Sequence, residues 1–142
     1  MSKIIYTTGL TGFIGQCVLK KIVDKYDVII NFGRDKKITF YRSSLKPIYK
    51  DFNLNELEAY PSETLVHIAG YYNSNPNSLG EKNQLKESNY NFPFSLCNLL
   101  KKIDLKKIIS TSSYMQLIDL EGQSLYSETK SKFISWAKSE FE

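Results

Sequence analysis

The chain has 142 residues, 42% of them hydrophobic, and a net charge of +4 from 19 basic and 15 acidic side chains. That length suggests one domain, and the apolar content with so low a net charge excludes a disordered chain. No apolar run reaches the roughly 18–20 residues of a membrane span and no signal-peptide core follows Met1, so a cytoplasmic protein without membrane contact is expected. Cys17, Cys97 and the single histidine, His67, form neither a disulfide framework nor a metal-ligand pattern. The basic residues are mostly lysines in ones and twos, with Arg34 and Arg42 the only arginines. That scatter reads as a solvated surface and not as a nucleic-acid face.

Strand-like and helix-like segments alternate, which argues for α/β with a parallel sheet. Residues 3–8 form a short apolar run that reads as a buried strand. Phe13, Ile14, Cys17, Val18, Ile22, Val23 and Tyr26 recur in steps of three and four and predict an amphipathic helix over 11–26. A second strand over 27–32 closes at Gly33. Residues 34–51 carry few helix signals, and 38–42 and 47–51 look extended, so no full crossover helix is expected there. A short helix over 54–60 stops at Pro61, and 64–69 is another strand. Residues 70–80 form a polar loop rich in Asn, Ser and Pro. A long helix over 81–102 is expected to break near Phe92, because Pro93 has no N–H to donate. Residues 106–111 read as a fifth strand of the parallel set, and a helix runs from Ser124 to the end.

Three features carry chemistry. The first strand runs into Thr8-Gly9-Leu10-Thr11-Gly12-Phe13-Ile14-Gly15, and a helix follows. Gly9 permits the tight turn, Gly12 lets backbone approach a pyrophosphate, and Gly15 lets helix pack on strand. The helix N-terminus then offers free N–H groups to phosphate. Tyr126 and Lys130 stand four apart, on one helix face. A phenol moves protons near neutral pH when an ammonium favours its phenolate. Ser110-Thr111-Ser112-Ser113 lies at the carboxyl end of a strand, where open α/β sheets bind ligands and a hydroxyl can meet a reacting oxygen.

Together these segments resemble the NAD-dependent epimerase/dehydratase family of extended short-chain dehydrogenase/reductases, which acts on nucleotide sugars. Thr8 to Gly15 is similar to its T-G-x-x-G-x-x-G fingerprint, His67-Ile68-Ala69-Gly70 to its H-x-A-[AG], and Asn89 to Pro93 to its N-x-x-x-P. Ser112, Tyr126 and Lys130 resemble its catalytic set. The resemblance implies a Rossmann-like, doubly wound parallel sheet in three layers, with residues 1–142 as an NAD(P)-binding domain. It implies that the chain stops before the last strands and the C-terminal lobe that binds the sugar nucleotide. Tyr126 would be the general acid/base and Lys130 would hold the nicotinamide ribose. Ser112, or Ser113 one place on, would orient the substrate oxygen. Asn89 would hold the helix and a water near Lys130. The loop residues Gly9, Thr11, Gly12, Phe13, Ile14 and Gly15 would hold the dinucleotide. Asp51 and Phe52 would meet the adenine, and Ala69 and Gly70 would pass beneath the cofactor.

NAD enzymes usually carry an acid at the tip of strand two, and here the tip reads Asn31-Phe32-Gly33-Arg34. Arg34 suits a 2′-phosphate and favours NADP, while Asp35 keeps NAD open. After Ser112 the chain has Ser113-Tyr114 where the family's dehydratases carry Asp-Glu, so the acid and base for eliminating water are missing. Tyr114-Met115-Gln116 also replaces the usual V-Y-G. A 4-keto reductase of the abequose-synthase type, in bacterial polysaccharide biosynthesis, fits better than a dehydratase; an epimerase and a non-catalytic NAD(P)-binding sensor stay open. Family members pair helices equivalent to 81–102 and 124–140 between subunits, which would make a homodimer. Phe92, Phe94, Leu96, Phe133 and Trp136 would serve that interface or cover the sheet.

Overall fold

The computed structural model describes residues 2–35, 37–114, 116 and 124–141. Strand β1 (Ile4–Thr8) passes through the glycine loop into α1 (Phe13–Ile22), which returns the chain to β2 (Val28–Phe32). Two more strands follow, β3 (Lys37–Tyr41) and β4 (Ile48–Asp51), then the one-turn helix α2 (Leu54–Leu57) and β5 (Thr64–His67). Helix α3 (Leu79–Lys86) continues through a π-helical turn at Glu87–Asn91 into α4 (Phe92–Leu100). A 3-10 turn at Lys101–Ile103, β6 (Lys107–Ser110) and the long helix α5 (Leu125–Glu140) complete the described elements. Among the described residues no helix is long and apolar enough to cross a membrane.

The sheet order is β4-β3-β2-β1-β5-β6. Strands β2, β1, β5 and β6 are parallel, and β3 and β4 add an antiparallel edge. The sheet is therefore Rossmann-like but mixed, and β6 is the fourth parallel strand instead of the fifth. The reason is connection length. A parallel crossover needs about a dozen residues, and the short links after Phe32 and Tyr41 leave room only for hairpins.

Helices cover both faces, which makes the three layers. On one face α1 lays Leu19 and Val23 against Ile5, Ile29 and Tyr41. On the other, Leu57, Leu96, Cys97, Leu100 and Phe133 pack on Tyr6, Ile30, Phe40 and Leu65. Tyr6 is fully buried there; its hydroxyl donates to the Tyr60 carbonyl at 2.8 Å, and burial pushes the phenol up to about 12.

Most element ends fall within a few residues of expectation. Helix α3 begins at Leu79 because Ser78 caps it, with Glu81 completing a capping box. Pro93 does interrupt the helix: it sits in the first turn of α4, where a missing N–H costs little, and the π turn absorbs the mismatch just before it. Leu96 and Phe133, proposed for subunit contact, are buried in the chain's own core, and Phe92 packs against it.

Candidate active site

The parallel strands end together, and the chain leaves β1 for one side and β5 for the other. That reversal opens a crevice at the carboxyl edge, the usual ligand position in this architecture. A cleft of about 740 Å³ occupies it, walled by the glycine loop, the tip of β2 and Ile68, Ala69 and Gly70 after β5.

Each loop glycine has its own reason. Gly9 adopts φ +77, and a Cβ there would stand 2.5 Å from the Ala69 nitrogen. A Cβ on Gly15 would lie 2.0 Å from the Gly9 carbonyl oxygen, so α1 reaches β1 only through glycine. At Gly12 the nearest neighbour of a Cβ is Gly9 oxygen at 3.5 Å, so this position faces the open cleft. Gly12 caps α1 with no side-chain bond and no acid follows in the first turn, which leaves the helix N-terminus available to an anion. Phe13 is 90% and Ile14 57% exposed at the cleft wall, apolar surface that a bound ligand would cover. Thr11 lines it too. Glycine-shaped space, free N–H groups and uncovered apolar surface fit a dinucleotide.

Two supports escaped the sequence reading. Asn31, 5% exposed, accepts the Leu10 N–H at 3.1 Å and so holds the loop from β2. The signal was a lone Asn inside an apolar strand. Thr8 Oγ1 accepts from the Ile68 and Ala69 N–H groups at 3.2 and 3.1 Å and lies 2.7 Å from His67 Nδ1. With both lone pairs used, its O–H donates to Nδ1, which assigns His67 as the neutral Nε2–H tautomer. Burial, then the nearby Lys130 charge, push His67 down to about 3, in accord with that assignment.

At the tip of β2, Arg34 and Asp35 both line the cleft. The Asp35 carboxylate turns back on its own turn, accepting the Lys37 N–H at 3.2 Å, and a Cβ on Gly33 would come within 2.6 Å of it. Arg34 reaches over to donate to the Ser88 hydroxyl on the π turn. Asp51 ends β4 in solvent and does not line the cleft; the Phe52 ring lies tilted against Phe32, which does, with centroids 6.3 Å apart.

The proton-transfer candidates meet on the other side of Gly70. A Cβ on Gly70 would stand 3.4 Å from Asn89 Oδ1 and 3.5 Å from Lys130 Nζ. Lys130 is only 7% exposed, and burial lowers its ammonium from the usual range. Asn89 spends its amide on the Tyr71 main chain, donating to the carbonyl and accepting the N–H, each at 2.8 Å. Tyr126 is half-buried on α5, one turn before Lys130. Ser112 is set apart from this group. Its hydroxyl donates to Gln116 at 2.9 Å, Gln116 donates to Ser131 at 3.1 Å, and Ser112 lines a separate small cleft with Ile134, Ala137 and Phe141. Met115, in the segment that departs from V-Y-G, lies outside the described residues.

Solved structures share this architecture. The chain is similar to a short-chain dehydrogenase/reductase family oxidoreductase from Burkholderia thailandensis, with TM-score 0.73, 18% identity, and 98% of this chain covering 62% of that one. It is similar to a short chain dehydrogenase from Leptospira borgpetersenii with bound NAD+, with TM-score 0.72, 17% identity, and 98% against 64% coverage. A dTDP-4-dehydrorhamnose reductase from Bacillus anthracis, in complex with NADP, matches with TM-score 0.66 and 13% identity over 99% of this chain and 51% of that one. The chain thus spans less than two thirds of the length of these proteins. No curated protein sequence matches significantly. The sequence profile of the NAD dependent epimerase/dehydratase family, in contrast, matches residues 5–132, from β1 through the Tyr126 helix. With nearly the whole chain inside that profile, and its fingerprint glycines each in a position only glycine fits or in open cleft, the chain belongs to the NAD dependent epimerase/dehydratase family.

Proposed function

We propose that this chain carries the dinucleotide-binding and proton-transfer part of an NADP(H)-dependent reductase that acts on the 4-keto group of a nucleotide sugar. One observation carries the reading. Gly70 lines the glycine-loop cleft and also abuts Lys130 Nζ and Asn89 Oδ1, so the cofactor cleft and the acid/base helix open on one point.

Gly9, Thr11, Gly12, Phe13, Ile14 and Gly15 would hold the pyrophosphate, with Ala69 and Gly70 beneath the cofactor. Asp51 and Phe52 would stand on the adenine side, Phe52 through Phe32. Arg34 favours NADP: its guanidinium, which donates to the Ser88 hydroxyl, would turn to meet a 2′-phosphate, whereas the Asp35 carboxylate is engaged by the β2–β3 turn. A nicotinamide coenzyme bound here supplies the hydride. Tyr126 gives its phenol proton to the ketone oxygen, and Lys130 holds positive charge where the phenolate forms. Ser112, after a turn of its hydroxyl away from Gln116, or Ser113 would orient the same oxygen. The partly buried Tyr90–Phe94–Trp136 row, with ring centroids 5.5 and 4.7 Å apart, would offer its outer edge for subunit pairing, although Tyr90 and Trp136 also pack on the chain's own core.

The family match also supports a second reading, a nucleotide-sugar epimerase using the same residues. The test follows nicotinamide absorbance with NADPH and a nucleotide-linked 4-keto sugar. Net NADPH consumption that Tyr126→Phe abolishes supports the reductase. Sugar inversion without net consumption supports the epimerase, and neither result in a protein that binds NADPH points to a non-catalytic sensor.

A further inference from the structure

Three consecutive residues after β5 touch three candidate site residues in turn. Gly70 abuts Lys130 Nζ, Tyr71 is clamped by Asn89 at both main-chain polar groups, and the Tyr72 ring stands against Tyr126. The last contact is edge-to-face, with centroids 4.9 Å and planes 87° apart. That is a favoured geometry for two aromatic quadrupoles. Asn89 is itself 2% exposed on the π turn, so its amide is fixed before it reaches the loop. Two bonds from one rigid amide set the Tyr71 peptide, and the direction of the next side chain follows from it. Tyr72 is nevertheless 61% exposed. A large aromatic left in solvent, aimed by a buried clamp at the phenol of the site, has no core to build.

We propose that Tyr72 is a positioning residue for Tyr126. The Asn89 clamp presents the Tyr72 ring, and that ring holds the Tyr126 phenol in one orientation and shields one side of it from water. The inference rests on the acid/base reading of Tyr126. A proton donor must sit within hydrogen-bond reach of its acceptor, and a small misplacement of a reacting group lowers turnover more than binding. The outer face of Tyr72 stays open beside the reaction point.

Tyr72→Ala and Tyr72→Phe test the proposal with two readouts. Nitration by tetranitromethane, resolved by residue with mass spectrometry, reports access to Tyr126 without any substrate or cofactor. Tyr126 should be nitrated about two- to tenfold faster in Tyr72→Ala than in the wild type, and at the wild-type rate in Tyr72→Phe, which keeps the ring. Equal rates in all three proteins overturn the proposal. In turnover with NADPH and a 4-keto sugar nucleotide, Tyr72→Ala should lose about two- to tenfold in kcat with KM little changed, and Tyr72→Phe should restore it. A loss confined to KM, or a Phe variant as impaired as Ala, overturns it equally. Should the protein turn over no nucleotide sugar, the reductase reading fails while the nitration result still decides the ring contact.

Discussion

Gly12 and Gly15 lie one helical turn apart in the same loop, and alanine at each should separate binding from folding. At Gly12 the backbone is extended, φ −80 and ψ 174, and a Cβ meets only the Gly9 oxygen at 3.5 Å, an ordinary contact. Alanine there gains up to about 1 kcal/mol from the unfolded chain and loses a few tenths to about 1 kcal/mol as a poorer helix cap. Gly12→Ala should therefore melt within a few degrees of the wild type. Its new methyl stands where a pyrophosphate would approach the backbone, and NADPH affinity should fall at least about tenfold, or 1.4 kcal/mol. At Gly15 the Cβ would overlap backbone, 2.0 Å from the Gly9 oxygen and 2.5 Å from Leu10 Cα, and neither atom belongs to a flexible side chain. Forced overpacking costs about 1–3 kcal/mol or more, so Gly15→Ala should lower the melting temperature by several degrees. Thermal melting and nucleotide titration of both variants check this. A Gly12→Ala protein that binds NADPH normally, or a Gly15→Ala protein as stable as the wild type, would refute the loop argument.

Two titration effects follow from the buried side chains. His67 falls from 6.5 to about 3 on folding, so the unfolded chain binds the extra proton between those values. Its contribution is complete above pH 6.5 and is lost as the pH falls toward 3; between about pH 7 and 4.5 the loss is about 2–3 kcal/mol. Urea melts at the two pH values should show a smaller drop in His67→Gln, and an unchanged drop would contradict the buried neutral ring. Lys130 is also lowered by burial, so the unfolded chain holds that proton more tightly and the buried ammonium costs stability at neutral pH. Lys130→Met should raise stability by about 0.5–2 kcal/mol while turnover disappears; a variant both less stable and active would reverse the assignment.

What the sequence disclosed depended on how local the cause was. The glycine loop was legible because its three glycines follow a strand and open a helix within eight residues, Thr8 to Gly15. The Pro93 interruption was legible because a missing N–H acts within one turn, but its outcome as a π turn depends on packing that aims Asn89 at Tyr71. The sequence favoured Arg34 over its neighbour Asp35 but could not show their partners: Asp35 accepts the Lys37 N–H, and Arg34 donates to Ser88, 54 residues on. Asn31 and Thr8 were passed over because each acts on a partner from another strand. The hydroxyl run at Ser110–Ser113 named a region, and the turn that carries Ser112 to Gln116 left no mark in spacing.

The account's central claim is that the glycine-loop cleft holds a dinucleotide with Arg34 on its 2′-phosphate. Titrating the wild type and Arg34→Ser with NADPH and with NADH, following nucleotide fluorescence, tests it most directly. The account predicts NADPH binding at least about tenfold tighter than NADH in the wild type, with the difference lost in Arg34→Ser. A wild type that binds neither nucleotide, or binds NADH as tightly as NADPH, would contradict it.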